Sequence, residues 1–199
     1  MTPERVIEHL YIVVVALILT ILVGVPLGIL AHFCKPLRKA VLWLVEVLQT
    51  VPTMALLGFI MVVFGAGKAT VIAGLLLYSL LPVVQNTYVG LSEVDPAIKE
   101  AAEGMGMAKL YRLARVEMPI AFPLIFTGIR MAAVTAVGTA VFATFFGGGG
   151  LGSVIYRGIR TSNMELIFSS TAALIVLATG CDGIMALVEK RLYRRFNPH

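Results

Sequence analysis

Five long apolar stretches separated by shorter polar ones make up most of this chain of 199 residues. Residues 10–31 and 69–91 hold no Asp, Glu, Lys or Arg; residues 40–64 hold only Glu46, residues 120–146 only Arg130, and residues 166–188 only Asp182. Each stretch exceeds the roughly 20 apolar residues that a helix needs to cross a bilayer. The pattern predicts an all-α, polytopic membrane bundle of five transmembrane helices, one domain over residues 1–199. The first stretch is read as a retained span. Its apolar run is longer than the about 7–15 residues of a signal-peptide core. Its flank sets Glu4 and Glu8 against Arg5, and no small-x-small cleavage site follows.

Composition narrows the class. The chain is 59% hydrophobic and 14% charged, with a mean hydropathy of +0.94. A soluble domain averages about 45–50% apolar and about 25% charged residues. That excludes a disordered chain and an ordinary soluble enzyme. The net charge of +5 reflects topology. Eleven of the sixteen Lys and Arg residues fall between the first and second stretches, between the third and fourth, or in the carboxyl-terminal tail. Four lie on the other side, and Arg130 lies within a span. Such an excess marks the cytoplasmic side. The amino terminus is therefore expected outside and the carboxyl terminus inside, and no nucleic acid is needed to explain the charge. Cys34 and Cys181 are far apart, and His9, His32 and His199 form no ligand spacing. A disulfide framework, a redox pair and a metal site are all disfavoured. Both cysteines fall near the cytoplasmic side, where thiols stay reduced.

The connection at residues 92–118 is the longest polar segment, yet it is rich in helix formers. Asp95-Pro96 predicts a helix start, with Asp95 as cap and Pro96 in the first turn. Gly104 and Gly106 break that helix. Residues 109–117 read as a second short helix stopped by Pro119. Within this segment Glu100-Ala101-Ala102 is followed after three residues by Gly106, and after nine more by Val116-Glu117-Met118-Pro119. This spacing resembles the EAA loop of binding-protein-dependent ABC importer permeases, with Val116 and Met118 in place of the usual Ile and Leu. Gln49-Thr50-Val51-Pro52-Thr53, Tyr78-Ser79-Leu80-Leu81-Pro82 and Asn86-Thr87-Tyr88 with Gly90 resemble the subgroup that imports glycine betaine, choline, carnitine and related osmoprotectants. Residues 147–150 with Leu151-Gly152 look like a glycine-rich segment shared with methionine permeases.

The resemblance covers roughly residues 10–190 and implies the type I importer (MetI-like) permease fold. It implies a multi-pass protein of the prokaryotic plasma or inner membrane. The chain would be a non-catalytic translocation subunit and half of a permease homo- or heterodimer. An ABC ATPase dimer carrying ATP and Mg would dock on the loop inside, and an extracytoplasmic binding protein would deliver solute. Glu100, Ala101, Ala102, Gly106 and Pro119 are then the ATPase-coupling residues. The residue types suit that role: Ala101 and Ala102 permit close approach, Glu100 and Glu103 can pair with basic groups on a partner, and the glycine turn joins two rigid helices. Three other readings stay open. One keeps the machine and changes the cargo to methionine or another amino-acid-like solute. A second is an ion-coupled secondary transporter, with Glu46 and Asp182 as ion sites. A third is an intramembrane enzyme, for which the sequence offers no nucleophile–base pair.

Several further features suggest chemistry. Residues 65–69 imitate a phosphate loop but have Val62 and Ala69 where a Gly and a Ser or Thr are needed, so ATP belongs to another chain. Gly147, Gly149, Gly150 and Gly152 suggest an outer gate or docking surface, or else a flexible re-entry loop. Gly128, Ala132, Ala136, Ala140 and Thr144 recur every four residues, as do Gly24 and Gly28. Such small-residue stripes let helices pack closely in lipid, and on the fourth span they could also line a two-fold interface. Glu46, Arg130 and Asp182 lie about 9–15 Å from the inner boundary at about 1.5 Å per residue, and Arg130 is expected to pair with Asp182 or Glu46. Gln49, Thr50, Gln85 and Asn86 near Pro52 and Pro82 are pathway candidates, since proline frees backbone carbonyls. Tyr78, Tyr88, Phe59, Phe142, Phe145 and Phe146 could face a quaternary ammonium.

Overall fold

The structure, a computed structural model, describes residues 3–196, with side chains to residue 193. His199 and the side chains of Arg194 and Arg195, used above in the charge and ligand patterns, lie outside the described residues. No strand occurs among the described residues.

The chain opens with the long helix α1 (Pro3–Phe33), which spans the first apolar stretch and continues past it at both ends. Helices α2 (Lys35–Thr50) and α3 (Thr53–Phe64) follow. They meet at a bend of 104°, so residues 40–64 are not the straight span that their hydropathy predicts. The cause is Pro52. It has no N–H to continue the ladder and holds the preceding residue out of the helical region. Val51 accordingly sits in extended conformation. Helices α4 (Lys68–Tyr78) and α5 (Leu80–Ser92) form a nearly continuous span that hesitates at Ser79, three residues before Pro82.

The polar connection forms α6 (Pro96–Gly104) and α7 (Lys109–Arg112). A π-helical turn at Leu113–Glu117 then leads directly into α8 (Met118–Thr139). Pro119 therefore does not stop the helix, contrary to the sequence expectation. The amide of Met118 reaches back five residues to the Leu113 carbonyl. This register change falls where Pro119 has no N–H to contribute, so the chain runs on without a break. Gly104 is the last residue of α6, and Gly106 alone makes the turn, at φ +78°. A tight 3₁₀ stretch, Ala140–Phe146, ends the fourth apolar segment. The amphipathic helix α9 (Leu151–Arg160) and the long α10 (Met164–Phe196) complete the chain.

Among the described residues four helical segments are long and apolar enough to cross a bilayer, and the bent α2–α3 pair makes a fifth if counted as one span. Helix α5 lies between α1 and α8. In lipid the apolar effect does not drive helices together, so close approach at small residues matters most. A Cβ on Gly24 would lie 2.8 Å from Val83 Cγ1, and one on Gly28 would lie 2.8 Å from the Val84 carbonyl oxygen. From the other side Gly128 packs on the Pro82 carbonyl oxygen and 2.7 Å, at its virtual Cβ, from Asn86 Cβ. Ala132, Ala136 and Ala140 are buried as well, Ala132 in a cluster with Val83 of α5, and Ala136 and Ala140 in one with Ile12 of α1 and Leu75 of α4. The small-residue stripe of the fourth span therefore faces the chain's own core and is not free for a second subunit. Helix α10 differs: of its described side chains only Ser170 is buried, and Phe168, Ile175, Val176, Ile184 and Leu187 point outward.

Candidate functional site

One end of the bundle carries the α6–α7 hairpin. Asp95 Oδ1 accepts the Ala97 amide at 2.8 Å and caps α6. At the other end of α6 the Gly106 amide donates to the Glu103 carbonyl at 2.9 Å, and the Met107 amide donates to the Ala102 carbonyl at 3.2 Å. This pair of bonds closes a helix around a left-handed glycine. Ala102 is buried, while Glu100 and Ala101 face out. Around them Met105 is 70% exposed and Leu110 78%, with Tyr111 and Ile98 also exposed. The hairpin thus presents an apolar crest edged by the exposed carboxylate of Glu100, which forms no ion pair among the described residues. Glu103 is not free, against the sequence expectation: Arg112 pairs with it and donates from Nε to Glu117 Oε1 at 2.7 Å. Pro119 sits just below, in the first turn of α8.

A second cluster lies between α8 and α10. The Arg130 guanidinium donates to both oxygens of Asp182, at 2.7 and 3.0 Å, and to Glu189 Oε2 at 2.6 Å. Thr127 donates its hydroxyl to the other oxygen of Glu189. Arg130 thus holds Asp182, one of its two expected partners. Glu46 points away, exposed on α2, and forms no ion pair among the described residues. Glu189 was missed because it lies one residue past the last apolar stretch. Its signal is the spacing of seven from Asp182, which places both carboxylates on one face of α10. The side chains of Arg130 and Asp182 are 30% and 42% exposed, so the cluster opens to one side of the chain.

An Arg130→Ala substitution strands two carboxylates within the bundle, and such groups are costly in a membrane. The expected outcome is weaker accumulation in membranes and a lower melting temperature of the detergent-solubilised chain. Arg130→Lys should recover only part of the loss, because an ammonium lacks the planar fork. Measuring both by fluorescence-detected size exclusion checks this; wild-type behaviour of the alanine variant would count against a structural role.

The opposite end holds the glycine loop. Gly147, Gly149 and Gly150 all have φ near +75°, between 75° and 78°. The Gly150 amide donates to Glu8 Oε2 at 3.0 Å, and Lys68 Nζ lies 3.0 Å from Glu8 Oε1. A Cβ on Gly149 would collide with the Glu8 carboxylate, and one on Gly152 with the Val141 carbonyl. His9, fully buried beside Gly150, donates from Nε2 to the Val137 carbonyl at 3.0 Å. The Gly67 amide donates to the Phe146 carbonyl at 2.7 Å. The loop is pinned at several points and is not a flexible re-entry segment. Lys68 is engaged with Glu8, so the phosphate-loop imitation has no lysine to offer.

The remaining candidates scatter. Asn86 donates its amide to the Pro82 carbonyl at 2.8 Å, a helix-internal bond. Thr50 donates to the Val47 carbonyl at 2.8 Å, and Gln85 and Pro52 are exposed while Gln49 is half-buried. Among the aromatics, Tyr88 lies under the Arg38 guanidinium at 5.1 Å, Phe145 packs edge-on against Tyr156, and Phe146 is buried.

Comparison with known proteins agrees with this architecture. The sequence pattern of the family described as binding-protein-dependent transport system inner membrane component matches residues 24–194. The chain is 37% identical over 185 residues to the glycine betaine/carnitine/choline transport system permease protein OpuCB of Bacillus subtilis, covering 93% of this chain and 85% of that protein. It is 43% identical over 172 residues to the choline transport system permease protein OpuBD of the same organism, covering 85% and 76%. Among solved structures, the MetNI methionine ABC transporter in an inward-facing conformation superposes with a TM-score of 0.86 at 20% identity. That match covers 96% of this chain and 99% of the other, and it is a likeness of fold.

Proposed function

The chain belongs to the family of binding-protein-dependent transport system inner membrane components, and from that membership we propose how it works and what it carries. It is the membrane-embedded permease subunit of an ABC importer. Its solute is a quaternary ammonium osmoprotectant: glycine betaine, choline, carnitine or a close analogue. A second permease chain completes the passage, identical or related to this one. An ATPase dimer, holding ATP and Mg, docks on the α6–α7 crest, which faces the cytoplasm; the glycine loop and the amino terminus face outward, where a binding protein delivers solute.

The observation that carries the coupling role is the crest itself. Met105, Leu110 and Tyr111 stand exposed beside Glu100 and Ala101 at the one end of the bundle where a capped, glycine-closed hairpin protrudes. Apolar surface of that kind, rimmed by polar groups, marks a protein contact. Binding of ATP would draw two such hairpins together and rock the spans between outward and inward openings. The ion-coupled reading loses its basis, since Asp182 is neutralised by Arg130 and Glu46 stands alone.

The substrate assignment rests on the identity to osmoprotectant permeases. It is tested by ATP-driven uptake of radiolabelled choline in vesicles holding the whole transporter. Unlabelled glycine betaine or carnitine is expected to compete, and methionine is not. Competition by methionine alone would move the assignment to amino-acid-like solutes.

A further inference from the structure

We infer that Glu117, which stands between Val116 and Met118 of the loop motif, is the residue that passes movement of the hairpin into the spans. The inference rests on the coupling role proposed above and names the connection inside this chain that the role requires.

Glu117 belongs to a polar connection, yet it is fully buried. The π-helical turn at Leu113–Glu117 brings it there, and such turns recur at functional positions in helices. Its Oε1 accepts from Arg112 Nε at 2.7 Å, and the same guanidinium pairs with Glu103 on the last turn of α6. The other oxygen, Oε2, has no hydrogen-bond partner among the described residues and lies 3.7 Å from Nε2 of His32 at the end of α1. His32 in turn sets Nδ1 3.3 Å from the Ser92 hydroxyl at the end of α5. One buried carboxylate therefore joins the hairpin to the point where α1, α5 and α8 converge.

The mechanical consequence follows from the turn. Gly106 joins α6 to α7 through a left-handed residue whose virtual Cβ has nothing within 4 Å among the described residues, so the backbone alone is a soft connection. The Glu103–Arg112–Glu117 bridge spans the open side of the hairpin and stiffens it into a lever. Force applied to α6 then reaches α8 through Arg112 and Glu117 and is not dissipated by bending at Gly106. Glu117 is a positioning residue; it touches no solute.

The test uses the complete transporter, permease with ATPase and binding protein, in proteoliposomes, and reads solute imported per ATP hydrolysed with glycine betaine as solute. Glu117→Gln keeps the shape and removes the charge. The variant is expected to assemble and hydrolyse ATP while import per ATP falls on the order of tenfold, the size of a typical coupling between linked sites. Arg112→Gln is expected to cause the same fall, and the double variant no more than either single one, because the two act through one bridge. An unchanged ratio, or uptake and hydrolysis falling in equal proportion, would overturn the inference. If Glu117→Gln does not accumulate, Arg112→Gln alone decides by the same two results. A wild type that imports methionine and not glycine betaine corrects the substrate and leaves the ratio to be read with methionine.

Discussion

Replacing Gly106 by Asp is expected to abolish ATP-driven uptake while the chain still inserts and folds. Gly106 sits at φ +78°, where an L-residue is strained by about 1–2 kcal/mol. Asp tolerates that region better than most residues, and a Cβ at this position meets nothing within 4 Å. The fold therefore survives. The loss arises at the crest, where Met105 and Leu110 present apolar surface to the proposed ATPase groove. A new carboxylate placed among them is buried without a partner on docking. A stranded interfacial charge of this kind costs about 3 kcal/mol, more than a hundredfold in association. Gly106→Ala separates the contributions, since it brings the backbone strain without the charge and should weaken coupling only modestly. Gly104→Ala, in ordinary helical conformation with open space around it, should behave as wild type. Co-purification of the ATPase and uptake in vesicles read the series. Wild-type uptake by Gly106→Asp would mean that the crest meets no partner.

Much of this architecture is legible in the residues, for reasons that also explain what is not. Apolar run length reports burial in lipid directly, so the stretches at residues 10–31, 69–91, 120–146 and 166–188 each fall within helices of the structure. Hydropathy is blind to the backbone, which is why residues 40–64 read as one straight span although Pro52 bends it. Pro119 shows the converse. Proline inside a helix predicts a stop because it cannot donate to the α-helical ladder, and the π-helical turn before it supplies a different register. The Arg130–Asp182 pair was visible because an intramembrane charge needs a partner. Glu189 and Glu117 were not, since each lies just outside an apolar run, where a carboxylate attracts no notice. Only the fold shows that both turn inward. The Gly147–Gly152 segment shows the same limit: its composition leaves a docking surface and a flexible loop both open, and Glu8, 142 residues from Gly150 in sequence, gives no local sign that it pins the loop.

The largest loss of stability is expected at Gly128. Helix α8 packs there directly on the backbone of α5. The virtual Cβ falls against the backbone carbonyl of Pro82, and Asn86 Cβ is 2.7 Å away. A clash with the far end of a flexible side chain can relax by rotation, but one with a backbone carbonyl requires the helices to part. Separation also loosens the opposite face of α5, where Gly24 and Gly28 of α1 hold it equally closely. Even Ala at residue 128 should cost about 1–3 kcal/mol, the usual range for overpacking. Leu adds three further carbons at the same backbone contact and should force the seam open, so its effect is expected as a sharp fall in monodisperse protein. Gly138, on the same helix, is exposed and has nothing within 4 Å of its virtual Cβ. Gly138→Leu adds the same bulk without forcing the helices apart and should accumulate normally. Fluorescence-detected size exclusion of both variants in detergent makes the comparison. Equal behaviour would show that the α5–α8 crossing yields more readily than a backbone contact allows, and the small-residue seam would then not be what holds the bundle together.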